Sequence, residues 1–324
     1  MGADTLSDVL KTVRLSSATF FDVLASPPWA AESTANEQLL RENLPRTGHF
    51  IAYHVVVEGH CYASVLGAAP VEVKAGEVVV FAKGTPHVLS SSPGLRASPD
   101  ANPEVELDAN TRLLMSLNYC GGRPATAKLV CGFLVCDAQA FNPLLDNLPP
   151  MIKCDDTCDG EGLWLNEFIR LATSEASGRR PGGETVIAKL SELMFIEVVR
   201  RYLQSLPAQQ AGWLAGLRDP YIGKALSLVH ANPAHAWTIE ELGREVGLSR
   251  SVFAERFNDI LGMPPMLYLA KWRMQIASGL LSNGNANIAT IAEEIGYASE
   301  AAFSRAFKKM MGVPPSALRN RAQP

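Results

Sequence analysis

The chain has 324 residues, of which 47% are hydrophobic and 19% are charged, and its formal net charge is −4. This composition indicates a soluble globular chain of about two domains and argues against a uniformly basic nucleic-acid binder. The charge is uneven: residues 212–324 hold 12 Lys and Arg against 9 Asp and Glu, a net charge of +3, which leaves −7 for residues 1–211. Any contact with nucleic-acid phosphates is therefore expected in the C-terminal part.

The N-terminus does not resemble a targeting signal. Residues 1–10 carry acids where a secretory signal carries bases, and no long apolar run follows. We therefore expect a cytoplasmic protein without a membrane partner. The six Cys are scattered and predict reduced thiols rather than a disulfide framework. Cys154 and Cys158 have the spacing of a metal or redox pair, but without a second pair they are more typical of loop thiols.

Short β-branched and aromatic runs follow in the N-terminal half. They predict strands at 50–57, 77–81, 112–119 and 128–135, separated by Gly, Pro and Ser turns. Repeated short strands predict a small barrel or jelly roll. The polar, Pro-rich segment 90–110 predicts a loop over or beside the barrel.

The turns between these strands resemble the paired turns of a cupin barrel. They are Glu58 with Gly59, then 75–77 leading to 83–87. The resemblance implies a cupin-like domain in the N-terminal half.

Four residues of this region are candidates for an effector pocket: His54, His60, Cys61 and His87. The three histidines stand where the resemblance to metal-binding cupins implies ligands, and imidazole suits a divalent ion. The closely spaced His pair with a downstream carboxylate is absent, however, so we predict no metal and no cofactor. Polar groups in or near a pocket, or hydrogen-bonded barrel residues, are the favoured interpretations. Cys61 is the preferred redox-responsive thiol, with a buried small residue as the default alternative.

The hydrophobic period becomes helical after residue 163. In 184–203, the side chains of Ile187, Leu190, Met194 and Val198 form one stripe with further apolar residues beside it. Such a wide apolar face needs cover from the barrel and, in one interpretation, from a second chain. A homodimer and a purely intramolecular helix pair are equal alternatives.

A short sequence motif occurs twice in the C-terminal part. Residues 238–265 and 287–315 match, with an offset of 49 residues before an internal turn and 50 after it. A repeat of this period indicates a duplicated supersecondary unit. Each copy predicts a short helix, a tight turn and a second helix. Gly247 and Gly296 are expected at the turns, where a positive φ is often required.

The second helix of each copy has one apolar face. Phe253 and Phe257 mark it in the first copy, and Phe303 and Phe307 mark it in the second. The opposite faces carry small or charged residues, namely Ser251, Ala254, Glu255 and Asn258, then Ala301, Ser304, Arg305, Lys308 and Lys309. Such a face on the second helix of a helix-turn-helix fits a DNA major groove. Ordinary helical hairpins are the alternative, which two matching copies disfavour.

Further features set the geometry of the repeat. Ser249 and Ser299 are natural N-caps for the second helices. Between the copies, the 17 residues 265–281 predict a helix, about 25 Å long at 1.5 Å per residue. We expect this rod to hold two recognition helices about 34 Å apart, one turn of DNA.

At these residues the sequence resembles the DNA-binding domain of AraC/XylS-type transcriptional regulators. The likeness covers about 220–321. It is carried by the Gly-Leu-Ser-Arg-Ser-x-Phe-x-x-Arg-Phe run from Gly247, by the stretch 271–274, and by the run from Ile295 through Lys309 that ends at Pro315. The region of Trp29 and the segments 131–133 and 144–149 resemble the cupin-like sensor halves of some of these regulators.

The resemblance implies an α+β fold with two domains. The N-terminal one is a cupin-like β-barrel (jelly roll) with flanking helices, and the C-terminal one is all-α, with two helix-turn-helix motifs joined by a linker helix. The expected boundaries are 1–206 for the sensing and dimerisation domain, 207–219 for the linker, and 220–324 for the DNA-binding domain.

The recognition helices and their caps supply the predicted DNA-binding residues. They are Ser249, Arg250, Ser251, Ala254, Glu255, Ser299, Glu300, Ala301, Ser304, Arg305, Lys308 and Lys309. Glu255 is a departure, because many relatives carry a basic or amide residue there; Glu accepts from cytosine N4 or avoids DNA. Arg305, its equivalent, suits a guanine edge, so the second copy is expected to read bases more sharply.

The sequence therefore predicts a sequence-specific transcriptional regulator of double-stranded DNA rather than an enzyme. Its barrel is expected to sense a small-molecule or redox effector, and RNA polymerase is a possible partner. The alternatives are a cupin-type metal-dependent enzyme with an appended helical module, and a protein whose helical repeats contact another protein.

Overall fold

The computed structural model describes residues 4–13, 16–33, 49–98, 104–107, 114–136, 141–154, 167–168, 170–172, 174–175, 181–207, 211–283 and 286–322. The chain divides into two compact units. The β unit lies within 15–138 and 148–205, and the helical unit lies within 1–14, 139–147 and 206–324. Among the described residues, no helix combines the length and the apolar character that a bilayer crossing requires.

The β unit consists of two sheets. Its strands are β1 (Ser16–Ala25), β2 (Ala30–Glu32), β3 (His49–Glu58), β4 (His60–Val65), β5 (Val71–Lys74), β6 (Val78–Phe81), β7 (His87–Ser90), β8 (Glu104–Leu107), β9 (Leu114–Tyr119), β10 (Ala127–Cys136) and β11 (Ile152–Cys154). The larger sheet has the order β11-β6-β3-β10-β1-β9-β8, and the smaller has β2-β7-β4-β5. Neighbouring strands are antiparallel except for the parallel pair β1 and β9.

All four predicted strands are confirmed, as β3, β6, β9 and β10, although residues 112–113 lie outside the described part. The loop predicted at 90–110 is corrected in one respect. Glu104–Leu107 forms β8 and pairs with β9, with Glu104 opposite Asn118. This segment is only four residues long, so its alternation is too brief to predict a strand without knowledge of its partner.

Period-2 alternation decides which side chains fill the interior. On β3, Ala52 and Val56 belong to a core cluster that also contains Cys61 of β4 and Leu89 of β7, so both sheets contribute to it. The cupin-like barrel predicted from the sequence is confirmed.

A long helix, α3 (Gly183–Ser205), packs on the outer side of the larger sheet. The Tyr53 hydroxyl on β3 lies 2.6 Å from Ser191 Oγ on α3, and both residues are fully buried. A Cβ at Gly132 on β10 would lie 2.4 Å from Tyr53 Oη, so glycine provides the room for this ring. The helix predicted at 184–203 is confirmed, and the barrel covers one of its faces.

The helical unit gathers distant parts of the chain. Its helices are α1 (Thr5–Val13), α2 (Pro143–Asn147), α4 (Trp213–Arg218), α5 (Pro220–Ala231), α6 (Ile239–Val246), α7 (Arg250–Leu261), α8 (Pro265–Asn283), α9 (Ile288–Glu294), α10 (Glu300–Met311) and α11 (Pro315–Ala322). α1 packs against α5 and α8, and α2 packs against α4. These two helices belong to the helical unit although they precede residue 206. The domain boundaries expected from the sequence, 1–206, 207–219 and 220–324, remain a prediction.

The segment predicted as a linker, 207–219, contains α4, which is anchored in the helical unit. Trp213 is 2% exposed, and its indole N–H donates to the Tyr268 hydroxyl at 2.7 Å. The Tyr268 oxygen lies 2.8 Å from His230 Nε2, and burial lowers the pKa of His230 to about 3. The imidazole is therefore neutral, and the three hydrogen-bonded side chains join α4, α5 and α8.

Candidate functional site

The first helix-turn-helix motif consists of α6 and α7. Thr238 caps α6, its hydroxyl accepting from the Glu241 backbone N–H at 3.1 Å. Gly247 ends α6 with φ 83°, in the left-handed region that favours glycine. The Ser249 hydroxyl accepts from the Val252 N–H at 3.4 Å and starts α7. The predicted turn and caps are confirmed here.

The second motif repeats this arrangement with α9 and α10. Asn287 caps α9, its side-chain oxygen accepting from the Thr290 N–H at 2.7 Å. Gly296 occupies the turn with φ 80°. The Ser299 hydroxyl accepts from the Ala302 N–H at 3.2 Å and starts α10.

Buried phenylalanines orient both recognition helices. Phe253 and Phe257 of α7, and Phe303 and Phe307 of α10, are each at most 1% exposed. The opposite faces are therefore directed outward. Ser249, Arg250, Ser251, Glu255, Ser299, Glu300, Ala301, Arg305, Lys308 and Lys309 are exposed, and Ala254 and Ser304 are half-buried.

The cations of α7 are paired with carboxylates. Arg250 Nη1 lies 2.8 Å from Glu240 Oε1 on α6, an exposed contact. Arg256 donates from Nε to Asp219 Oδ2 at 3.1 Å, and its Nη2 donates to the same oxygen. Asp219 is also the N-cap of α5, so this ion pair fixes α7 to the start of α5.

The cations of α10 are placed differently. In the part of the chain that the structure describes, no ion pair engages Arg305, Lys308 or Lys309. All three are exposed on one helix that begins at a capped N-terminus. α10 thus presents three exposed cations that engage no salt bridge among the residues that the structure describes.

The β unit contains a small, partly open cavity of about 30 Å³. Its walls are mostly apolar, and they include Phe21, Trp29, Leu89, Leu117 and Phe133. Side chains with polar atoms also line it, among them His54, His87, Cys131, Glu32, Ser33 and Tyr119. His54 and Cys131 are opposite each other in the pairing of β3 with β10, which brings both into the interior at the same level.

The two histidines of the cavity are hydrogen-bonded to each other. His54 Nε2 and His87 Nε2 are 2.9 Å apart, and His87 Nδ1 is 3.0 Å from the Thr85 carbonyl oxygen. Burial lowers the pKa of His87 to about 4 and that of His54 well below its usual value, so both rings are neutral. His87 Nδ1–H must donate to Thr85, so His87 Nε2 accepts from His54. His54 Nδ1 is then an acceptor that has no partner among the described residues.

Comparisons with known proteins agree with both units. A protein-family model described as cupin matches residues 4–204, and one described as a helix-turn-helix domain matches residues 242–321. An AraC-like transcription regulator of Streptomyces lividans is 31% identical over 319 residues, which cover 98% of either chain. The chain belongs to the AraC-like transcription regulators.

Other relatives of this AraC-like regulator carry similar names. An AraC-like transcription regulator of Streptomyces antibioticus is 30% identical over 99% of this chain and 100% of its own. The HTH-type transcriptional regulator AlkR of Acinetobacter baylyi is 26% identical over 98% of this chain and 100% of its own. The predicted class, a DNA-binding transcription regulator with a cupin-like N-terminal domain, is confirmed.

Two of the four predicted pocket residues of the AraC-like regulator do not line this cavity. His60 is exposed on β4, with its ring 6.1 Å from that of Tyr62, and does not line the cavity. Cys61 is fully buried in the core, also outside the cavity lining, and burial raises the pKa of its thiol to about 12. Adjacent residues of a strand face opposite sides, so the two could not share one pocket. A thiol that resists ionisation is also a poor redox sensor.

Sequence reasoning did not identify Cys131 as a lining residue or Asp219 as the partner of Arg256. Both relationships join parts of the chain that are distant in sequence. Cys158 lies outside the described residues.

Proposed function

We propose that this AraC-like regulator binds double-stranded DNA with α7 and α10 in two major-groove segments, and that α10 makes the sharper base contacts. The observation that carries this proposal is the difference between the two exposed faces. α10 presents Arg305, Lys308 and Lys309 without ion-pair partners among the described residues, whereas Arg250 and Arg256 of α7 are paired with acids.

The residues of α10 divide into three roles. Ser299 and the small residues Ala301 and Ser304 permit close approach of the helix start to DNA. Arg305 makes a bidentate contact to a guanine edge. Lys308 and Lys309, in the last turn, contact phosphates.

The first recognition helix contributes differently. Arg250 must exchange Glu240 for a phosphate or a base edge, and because this ion pair is exposed the exchange lowers its net contribution by at most about 1 kcal/mol. Glu255 is exposed and accepts from cytosine N4 or remains solvated. Ser249, Ser251 and Ala254 provide hydroxyl and small-residue contacts.

We further propose that the barrel binds the effector at the cavity that His54 and His87 line. The present volume of about 30 Å³ is near that of one water molecule, and ligand pockets commonly hold several hundred Å³. Effector entry therefore requires lining side chains such as Trp29 to move. This side-chain movement is the step by which effector binding changes the conformation of the barrel.

A homodimer through α3 and contact with RNA polymerase complete the proposal. On α3, Val186 and Leu193 are 43% and 60% exposed and lie two helical turns apart. An exposed apolar stripe of this kind suits a second copy of the same helix. RNA polymerase is the partner expected of a transcription regulator bound beside a promoter.

Footprinting tests the DNA proposal directly. Duplexes are selected from a random library with the purified full-length protein and then probed with hydroxyl radicals. We expect two protected segments about 10 base pairs apart on one face of the duplex. Protection of a single segment would refute the two-groove arrangement. Sedimentation of the free protein, alone and as Leu193→Glu, tests the dimer.

A further inference from the structure

Arg273 of α8 contacts the loop that leads into the first helix-turn-helix motif and the turn of the second motif at once. Its Nε donates to the Pro233 carbonyl oxygen at 2.7 Å, and its Nη2 donates to the His235 carbonyl oxygen at 2.8 Å. Both carbonyls belong to the loop between α5 and α6, at the entrance of the first motif. Nη1 lies 3.4 Å from the carbonyl oxygen of Gly296, in the turn of the second motif. A single guanidinium therefore joins the two motifs.

The same two segments touch directly at Gly296. A Cβ on this residue would lie 2.2 Å from the Ala234 carbonyl oxygen and 2.7 Å from Ala234 Cα, so no other residue fits without a shift of backbone. Gly247 holds the matching position in the first motif with nearly the same φ, yet nothing lies within 4 Å of its Cβ position. Both turns require glycine for their φ, but only the second requires it for close packing.

The chemistry of the guanidinium suits this position. Its planar fork directs several N–H donors at once, whereas a lysine ammonium is a point charge with three donors on one nitrogen. No carboxylate forms an ion pair with Arg273 in the described ranges, and its charge is instead met by carbonyl oxygens and by the Tyr297 ring, 5.8 Å away. The residue is thus directed at backbone, whose position it fixes.

We propose that Arg273 and Gly296 form a brace that fixes the separation and rotation of α7 relative to α10. The connecting helix α8 sets the distance between the motifs, but each motif could still rotate about its junction with that helix. The brace removes this freedom because it joins the loop before α6 to the turn after α9. Arg273 is a positioning residue in this arrangement and does not touch DNA.

The consequence for recognition rests on the proposed function, in which both helices enter one duplex. One extra base pair between the two segments moves the second by about 3.4 Å and rotates it by about 35°. A DNA-binding domain with the brace cannot change the separation of α7 and α10 to match, so it loses contacts in one groove. A domain without the brace can change this separation, so it binds its preferred DNA more weakly but tolerates several spacings.

A distance measurement on the free protein tests the brace itself. Spin labels carried by unnatural amino acids replace Asn258 on α7 and Lys309 on α10, both exposed. We expect one narrow distance distribution in the otherwise unchanged protein and a broader or shifted one in Arg273→Gln and in Gly296→Ala. Gly247→Ala is the matched control, because it strains the equivalent turn without touching the brace, and should leave the distribution narrow.

The distance distributions of the variants decide whether the brace exists. If Arg273→Gln and Gly296→Ala keep the circular dichroism and the narrow distribution of the parent, the brace does not exist. Should Arg273→Gln fail to fold, Arg273→Lys retains the charge and the aliphatic stem and is measured instead. An equal broadening by Gly247→Ala would assign the effect to turn strain and overturn the proposal.

Binding to DNA then tests the consequence. The duplex selected by the parent protein is lengthened by one base pair between its protected segments. We expect the parent to lose about tenfold in affinity, comparable to a mismatched base pair, and Arg273→Gln to lose clearly less. Equal losses would show that the brace does not set spacing. Protection of a single segment by the parent would refute the two-groove function, while the distance measurement still decides the brace.

Discussion

The imidazoles of His54 and His87 share one hydrogen bond inside the barrel, with 2.9 Å between their Nε2 atoms. This contact requires two neutral rings, because protonation of His87 would place two N–H donors against each other. Protonation of His54 would leave a buried N–H without an acceptor among the described residues. Burial lowers the pKa of each ring, and both outcomes cost free energy in the same direction.

We therefore expect the free energy of unfolding to fall as the pH falls below about 6.5, the usual pKa of an unfolded histidine. The folded pKa of His87 is lowered to about 4, so between these values the unfolded chain binds a proton that the folded chain does not. For His87 alone the loss amounts to about 2 kcal/mol by pH 5. Urea unfolding at pH 7, 6 and 5 measures it.

The matched variants for this experiment are His87→Asn and His60→Asn. The first removes a buried imidazole, and its stability should depend less on pH than that of the parent. The second removes an exposed imidazole from β4 and should keep the pH dependence of the parent. An unchanged dependence in His87→Asn would mean that the pair is not the source. Burial lowers the pKa of His230 to about 3, so this residue contributes to the pH dependence of stability in the same direction in both variants.

The helix-turn-helix motifs could be predicted from the sequence because their determinants are local. Caps such as Ser249 and turn residues such as Gly247 act on neighbours within a few positions. The pocket could not be predicted to the same accuracy. Strand parity separates His60 from Cys61, but only the pairing of β3 with β10 reveals that Cys131 stands opposite His54. Such register is set by tertiary packing.

Asp219 joins two functions in one carboxylate. It accepts from the Tyr221 and Ile222 N–H groups as the cap of α5, and it pairs with Arg256 of α7. We expect Asp219→Ala to lower the free energy of unfolding by about 1–2 kcal/mol, mainly through the lost cap. Asp219→Asn keeps a capping oxygen and loses only the ion pair, so its cost should be below about 1 kcal/mol. Equal costs by urea unfolding would contradict this division.

The docking of α3 on the barrel depends on Tyr53 and Gly132. Tyr53→Phe removes one hydrogen bond and should cost about 1 kcal/mol, because Ser191 retains the Ile187 carbonyl oxygen at 2.9 Å. Gly132→Ala should cost more, since its Cβ would meet the ring. In Gly132→Ala with Tyr53→Leu the smaller side chain should restore part of the stability. Thermal unfolding compares the variants, and an additive loss in the double variant would refute steric conflict.

Lys308 tests the phosphate role on α10. Lys308→Ala should reduce the dependence of log affinity on log salt by about 0.9, the value for one lost phosphate contact on B-DNA. Preference among base sequences should change little. Fluorescence anisotropy with the selected duplex at several salt concentrations provides the slope. The same slope in Lys308→Ala and in the parent would remove this side chain from the contact set.

Arg305 tests base reading, because it is exposed on α10 and engages no ion pair among the described residues that would have to break first. Arg305→Ala should weaken binding to the selected duplex by about 1–3 kcal/mol and relax preference at one base pair. Arg305→Lys keeps the charge but not the bidentate fork, so it should retain the salt dependence and lose the preference. Affinities are compared on duplexes that vary at every position of the second segment. A loss that is uniform across all of them would assign Arg305 to a phosphate and leave base recognition to other residues.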